Sequence, residues 1–268
     1  MKRLAVLVAA LVLCGGPASA QAVFKSLDAD PWCRERETDA DRESRCEVRE
    51  ATWPSLGERL SIDASPNGGI EVVGWDRSEV KVRAKVVAVA DSADEAARMA
   101  AEVRIDTAGT IHAEGPPGGR YAHWWVSYQA FVPRRSDVQL ESTNGGIHLT
   151  DVAGRIAFRT TNGGVSLTRV AGDVQGRTTN GGVEVRLAGS EWQGQGLDIQ
   201  TTNGGVTLTV PADYNALLET GTTNGRLRLD FPVTVQGEVK QRVSARLGRG
   251  GAPVRVTTTN GGVTVRRP

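Results

Sequence analysis

The sequence predicts an all-β protein: a single-stranded β-helix, or solenoid, with coils of about 18 residues and one short capping α-helix. Three observations predict it. The hexapeptide Thr-Thr-Asn-Gly-Gly-Val recurs at Thr160–Val165, Thr178–Val183, Thr201–Val206 and Thr258–Val263, with near-copies at Ser142–Ile147 and Thr222–Leu227. The intervals between Asn144, Asn162, Asn180, Asn203, Asn224 and Asn260 are 18, 18, 23, 21 and 36 residues, the last equal to two coils. Finally, each offset from these Asn residues keeps one chemistry. Three residues on stand Ile147, Val165, Val183, Val206, Leu227 and Val263, and five on stand Leu149, Leu167, Val185, Leu208, Leu229 and Val265. Between them lie His148, Ser166, Glu184, Thr207, Arg228 and Thr264, the alternation of a half-buried strand.

Met1 to Ala20 carries Lys2 and Arg3, an apolar run from Leu4 to Leu13 and the small-x-small site Ala18-Ser19-Ala20. It reads as a secretory leader cleaved after Ala20, too short to span a bilayer. Leu11-Val12-Leu13-Cys14 resembles a lipidation site, but Leu13 stands where a small residue is required, which argues against a lipid anchor at Cys14. Export places the protein in the periplasm, at the cell surface or in the medium. Without Lys2 and Arg3 the 32 basic residues fall to 32 − 2 = 30 against 31 acidic ones, so net charge offers nothing to nucleic acid.

Residues 21–50 form a charged arm ahead of a solenoid domain over 51–268. Cys33 and Cys46 are the cysteines left after cleavage, and in an exported chain they point to a disulfide. The short loop it closes is worth about 3 kcal/mol in the chain-entropy description. No CxxC pair or histidine cluster accompanies it: His112, His123 and His148 are scattered, so neither a metal nor a cofactor is expected.

Val48 to Pro133 is strand-rich but irregular. Asn67-Gly-Gly-Ile70 repeats the corner motif as an atypical first rung, followed by the alternating strand Val80–Val87. Ser92 with Glu95 makes a capping box for a helix over Ala93–Val103, placed to cover an end or edge of the stack. Tyr121 to Val132 is aromatic. By alternation Trp124, Val126 and Tyr128 share one face and His123, Trp125 and Phe131 the other. Tyr121, His123 and Trp125 are therefore the candidate ligand or partner contacts, a platform able to stack on sugar rings or anchor a protein interface wherever it is not covered by the helix or the arm.

In the regular coils each repeat reads strand, Asn-Gly corner, strand. The second corner, as in Val152-Ala-Gly-Arg155 and Val170-Ala-Gly-Asp173, carries a glycine that permits positive φ. Reading each Asn-Gly as a hairpin turn is the competing possibility. Hairpins do not need equivalent residues at one offset in six copies; stacked coils do, because equivalents then sit about 4.8 Å apart. Asn67, Asn144, Asn162, Asn180, Asn203, Asn224 and Asn260 are accordingly structural corners, their amides able to bond along the stack. After Asn224 the excursion from Phe231 to Pro253 fills the double interval with one irregular rung.

This pattern resembles a bacterial adhesin-like domain family of unknown function. The residues carrying the likeness are Asn67-Gly-Gly-Ile-Glu-Val-Val-Gly-Trp-Asp76, the helix at Ser92, the Thr-Asn-Gly-Gly coils and Gly248 to Gly262, together covering roughly Glu58 to Arg266. The resemblance implies a β-helical fold and brings no catalytic or binding residues with it.

The function expected is that of a non-catalytic envelope protein whose repetitive surface meets another protein or a glycan. A β-helical polysaccharide-acting enzyme is the alternative, and it needs two carboxylates across one groove. Asp151, Asp173, Glu184, Asp198, Glu219 and Asp230 sit at unlike offsets and make no acidic column. An ice-binding solenoid is a further alternative, resting on the hydroxyl column Thr143, Thr161, Thr179, Thr202, Thr223 and Thr259. Asn in place of Asp at the corners disfavours a calcium-binding repeat.

Overall fold

The computed structural model describes residues 22–27, 29–34, 42–232 and 241–268, so the leader and Cys14 lie outside the described residues. Each regular coil gives one short strand to an 11-stranded sheet and one longer strand to a 10-stranded sheet. The apolar columns face inward between them. Val138, Ile156, Val174, Leu197, Leu218 and Val254 line the core from one sheet, and Ile147, Val165, Val183, Val206 and Val263 from the other. Equivalent residues pair in parallel without slippage, Val165 with Val183 and Thr160 with Thr178. Where the inward column reads Phe158 then Gly176, the ring occupies its neighbour's space: a Cβ on Gly176 would lie 1.9 Å from the Phe158 ring.

The stack does not follow sequence order at its far end. Pro253–Asn260 pairs with Gly196–Asn203 on one side and Ala216–Asn224 on the other. Val263–Arg266 likewise lies between Val206–Thr209 and Leu227–Leu229. The last coil of the sequence is thus inserted between two earlier ones. Arg242–Leu247, expected within an irregular rung, instead pairs antiparallel with Ala216–Asn224 and borders the sheet. The interval of 36 therefore marks a chain reversal and return, not two successive rungs.

At the near end the parallel stack gives way to antiparallel pairing. Ile70–Trp75 lies between Ile147–Thr150 and His123–Pro133, parallel to both. Beyond it His123–Pro133, Glu79–Ala90, Glu43–Pro54 and Lys25–Leu27 run antiparallel in turn. The strand Glu43–Pro54 continues across residue 50, so the end of the charged arm is itself a sheet strand. Cys33 and Cys46 form the expected disulfide, with Cα atoms 5.6 Å apart. Val87 and Val89 are buried although they alternate with Val86 and Ala88, which face the core, so the Cys46 side of this sheet is covered as well.

The helix Ala93–Glu102 begins at Ser92, whose hydroxyl accepts from the Glu95 N–H at 3.2 Å. Ala96, Met99 and Ala100 are buried, and the helix packs on Glu43–Pro54 and Glu79–Ala90. Arg49 closes its other end, donating to the Val103 carbonyl and to that of Ala100, which also accepts from the Val103 N–H.

Candidate functional site

The corner asparagines form one continuous ladder. Asn144 Nδ2 donates to Asn67 Oδ1 at 2.8 Å, and the chain of amide bonds continues through Asn162, Asn180, Asn203, Asn260 and Asn224 at 2.7–2.8 Å. It runs in spatial order, passing through Asn260 before Asn224. Two residues before each corner the hydroxyls turn inward instead of pairing with one another. Ser142, Thr160, Thr178, Thr201 and Thr258 donate to the carbonyls of Gly68, Gly145, Gly163, Gly181 and Gly204 at 2.8–2.9 Å. The next column faces water: Thr161, Thr179, Thr202, Thr223 and Thr259 are exposed and Thr143 is half-buried.

Beside that column lies a shallow groove of about 910 Å3 on the 10-stranded sheet, lined by Thr179, Thr202, Thr223 and Thr259 of the column with Arg177, Gln200, Arg242 and Arg255. The carboxylates singled out from the sequence are distributed along the surface and mostly held by arginines. Arg169 binds Asp151 through two bonds of 2.7 Å, and Arg255 bridges Glu219 and Asp198. Arg186 holds Glu184, and Arg228 holds Asp230. Asp173 accepts from Gln175 at 3.3 Å. The Arg169 guanidinium keeps the Asp151 carboxyl below the ordinary carboxylate value. Asp137 is lowered chiefly by the Arg155 backbone N–H. A glycosidase acid needs the opposite shift. Among the described residues no group of His, Cys, Asp and Glu could hold a metal ion.

The aromatic strand divides as its alternation predicts. Val126, Tyr128, Ala130 and Val132 are buried, with Trp124 packed against the same core. On the opposite face His123 stacks on Trp125 with ring centroids 5.7 Å apart. Both are half-buried, whereas Tyr121 is 51% exposed and lies beneath the Arg42 and Arg120 guanidiniums. The structure stacks His123 on Trp125 and gives Tyr121 a cationic surround.

Farther along this face the sequence reading missed a second cluster. Trp75 and Phe131 lie 5.4 Å apart under Lys81 and Arg77. A polar network lies on the same strand between the two aromatic pairs: Gln129 donates to Glu71, Arg83 donates to Gln129, and Arg83 pairs with Asp30 of the arm at 2.5 Å. Phe131 was legible by alternation. Its partner on a separate strand was not, because pairing of Ile70–Trp75 with His123–Pro133 is a long-range event.

At the start of this strand a cleft of about 250 Å3 opens between His123–Tyr128 and the segment 63–67. Trp124 lines it, its indole N–H donating to the Pro116 carbonyl at 2.8 Å and its ring packed on Gly115. Tyr128 lines it too and is 1% exposed, and its hydroxyl has no hydrogen-bond partner. Burial, and then the Asp63 carboxylate, push that phenol well above the ordinary tyrosine value.

The Toastrack DUF4097 family model matches residues 77–266. A search of the curated proteins found no match. Among solved structures, a proposed cell adhesion protein from Clostridium sporogenes is similar over 85% of this chain and 100% of its own, with 11% identity and a TM-score of 0.45. A proposed adhesin from Parabacteroides distasonis covers 82% of this chain and 97% of its own, with 11% identity and a TM-score of 0.33. A proposed lipid-binding protein from the same species covers 86% and 98%, with 9% identity and a TM-score of 0.27.

Proposed function

The chain belongs to the Toastrack DUF4097 family, and from that premise and the rungs described above we propose that it is a non-catalytic binding or structural module of the cell envelope. In this reading residues 1–20 are a cleaved leader, 21–50 an arm tied down by the disulfide and 51–268 the solenoid, with no lipid at Cys14. The partner is an envelope protein or a glycan, and Tyr121, His123 and Trp125 are among its contacts.

One observation carries the reading: exposed groups of one kind repeat at strand spacing along the stack. Thr179, Thr202, Thr259 and Thr223 stand in successive rungs beside the amide ladder. Such a surface offers equal contacts to an extended partner at several positions, which suits avidity better than chemistry at one point. The arginine-held carboxylates favour the same reading over a hydrolase. No helix among the described residues is long and apolar enough to cross a membrane.

The test is co-sedimentation of purified residues 21–268 with isolated envelope fractions, against a Tyr121→Ala/His123→Ala/Trp125→Ala variant. The expected result is that the wild type pellets with one fraction and the variant stays in solution. If the wild type stays in solution with every fraction, the reading fails.

A further inference from the structure

The outward face of the 10-stranded sheet carries guanidiniums that the fold does not pair. The column three residues before each corner asparagine reads, in spatial order, Arg159, Arg177, Gln200, Thr257 and Gly221, and Arg242 then stands opposite Gly221. Arg159, Arg177 and Arg242 are exposed, and none of them forms an ion pair among the described residues. Arg159 and Arg177 face each other in register at the strand spacing of about 4.8 Å. Like charges so placed oppose pairing of the strands, and the carboxylates nearby are engaged elsewhere. Glu141, on the other side of Arg159, accepts from Gln139 at 3.3 Å. Asp198 and Glu219 flank Arg255, which donates to both, at 3.4 and 2.8 Å.

The shallow groove beside the threonine column lies between two of these arginines. Arg177 lines it at one end and Arg242 at the other, four strand steps or ~19 Å away. A Cβ on Gly221 would meet Arg242 Cγ at 2.7 Å, so the arginine's stem lies over that glycine. The floor between them is small and neutral, made by Gln200, Thr257 and Gly221, while Thr179, Thr202, Thr259 and Thr223 give one hydroxyl per rung along its side. Three arginines line the groove against one carboxylate, that of Glu219.

These features narrow the occupant. A single small anion would meet one arginine and leave the other unanswered. The lining holds no aromatic ring, so the bases of a single-stranded nucleic acid would find nothing to stack on. The floor strands are paired on both sides, so an acidic peptide cannot add there as a strand. A sugar chain with carboxylates answers both kinds of group. Guanidinium forks take carboxylates through two parallel bonds, and the threonines exchange hydrogen bonds with hydroxyls.

We propose that this groove binds a linear acidic polysaccharide laid across successive rungs, its carboxylates on Arg177 and Arg242 and its hydroxyls against the threonine column. This rests on the binding-module reading and narrows its partner to a carboxylate-bearing glycan. Arg159 extends the same strip by one rung, so a longer chain gains a further contact.

The experiment is calorimetric titration of the purified protein with polygalacturonate, alginate and hyaluronate, and with dextran, polyglutamate and oligothymidylate, at low salt and with added sodium chloride. At least one acidic polysaccharide is expected to bind, more weakly as salt screens the exposed arginines. Arg177→Ala/Arg242→Ala is expected to weaken it about tenfold, the combined worth of two exposed ion pairs. Thr202→Val/Thr259→Val, which keeps the branched shape and removes the hydroxyls, is expected to weaken it severalfold. All four side chains are exposed, so both variants are expected to melt with the wild type. The proposal is overturned if no acidic polysaccharide binds, if either double variant binds as tightly as the wild type, or if dextran, polyglutamate or oligothymidylate binds as well as the best of them. An envelope fraction that pellets the wild type and the arginine variant alike would sink the groove and leave the envelope module standing. Polysaccharide binding without pelleting would do the reverse.

Discussion

The two glycines of each Asn-Gly-Gly corner look alike in sequence and differ in what they must do. A Cβ on Gly163 would lie 2.0 Å from the Gly145 carbonyl oxygen of the neighbouring rung, and the same approach recurs at Gly145, Gly181 and Gly204. Backbone meets backbone there, so nothing flexible can move aside. A Cβ on Gly164 would meet the Gly182 oxygen at 3.6 Å, an ordinary contact. Gly163→Ala is therefore expected to cost about 3 kcal/mol or more, and Gly164→Ala less than about 1 kcal/mol. Urea unfolding of the two variants checks this, and equal costs would contradict the close-stacking account. The second corner holds a related surprise: besides Gly154 and Gly172, Asp151 and Arg169 adopt positive φ, at 60° and 53°. The sequence assigned that conformation to glycine alone. Here the residue type answers to the Asp151–Arg169 ion pair instead, which spans one rung to the next.

Among elements, the regular strands were legible because burial imposes period two and stacking imposes one residue type per column. The order of the last coils was not, for the same reason. Asn224 and Asn260 both fit beside Asn203, and column chemistry cannot rank them. Hydrogen exchange can check the order observed. Val263 and Val265 lie near the end of the sequence but inside the sheet, whereas Leu227–Leu229 borders it. The Val263 amide is expected to exchange more slowly than that of Leu229, by on the order of tenfold or more. A stack in sequence order would reverse the ranking. The antiparallel strands at the other end show a similar limit: Val80–Val87 announced itself as a strand, but its partners Glu43–Pro54 and His123–Pro133 lie far away in sequence. The arm's charge-rich composition concealed a strand because the stretch of Glu43–Pro54 within the arm is polar apart from Cys46 and the buried Val48. In the candidate site, His123 and Trp125 were legible from alternation. The Tyr128 hydroxyl was not, since a missing hydrogen bond leaves no trace in sequence.

Taken whole, the molecule carries most of its ion pairs toward the outside, where pH can reach them. Asp137 and Asp151 have carboxyl pKa values below their ordinary 3.8 in the folded state. A depressed folded pKa gives stability that is complete above the unfolded value and is lost as pH falls through the folded one. The melting temperature is thus expected to be insensitive to these groups near neutrality and to decline below about pH 4. An Asp137→Asn/Asp151→Asn double variant should melt lower at neutral pH and show a shallower acid decline, which differential scanning calorimetry across pH would measure. The inserted last coil has a further consequence, for assembly. Until residues 253–266 arrive, Ala216–Asn224 has an equivalent surface within reach in Gly196–Asn203: Leu218 would lie beside Leu197, and Asn224 beside Asn203. The matching that makes the finished ladder regular would equally fit these two earlier coils to each other, and what keeps them apart is the chain's final segment, wedged between them.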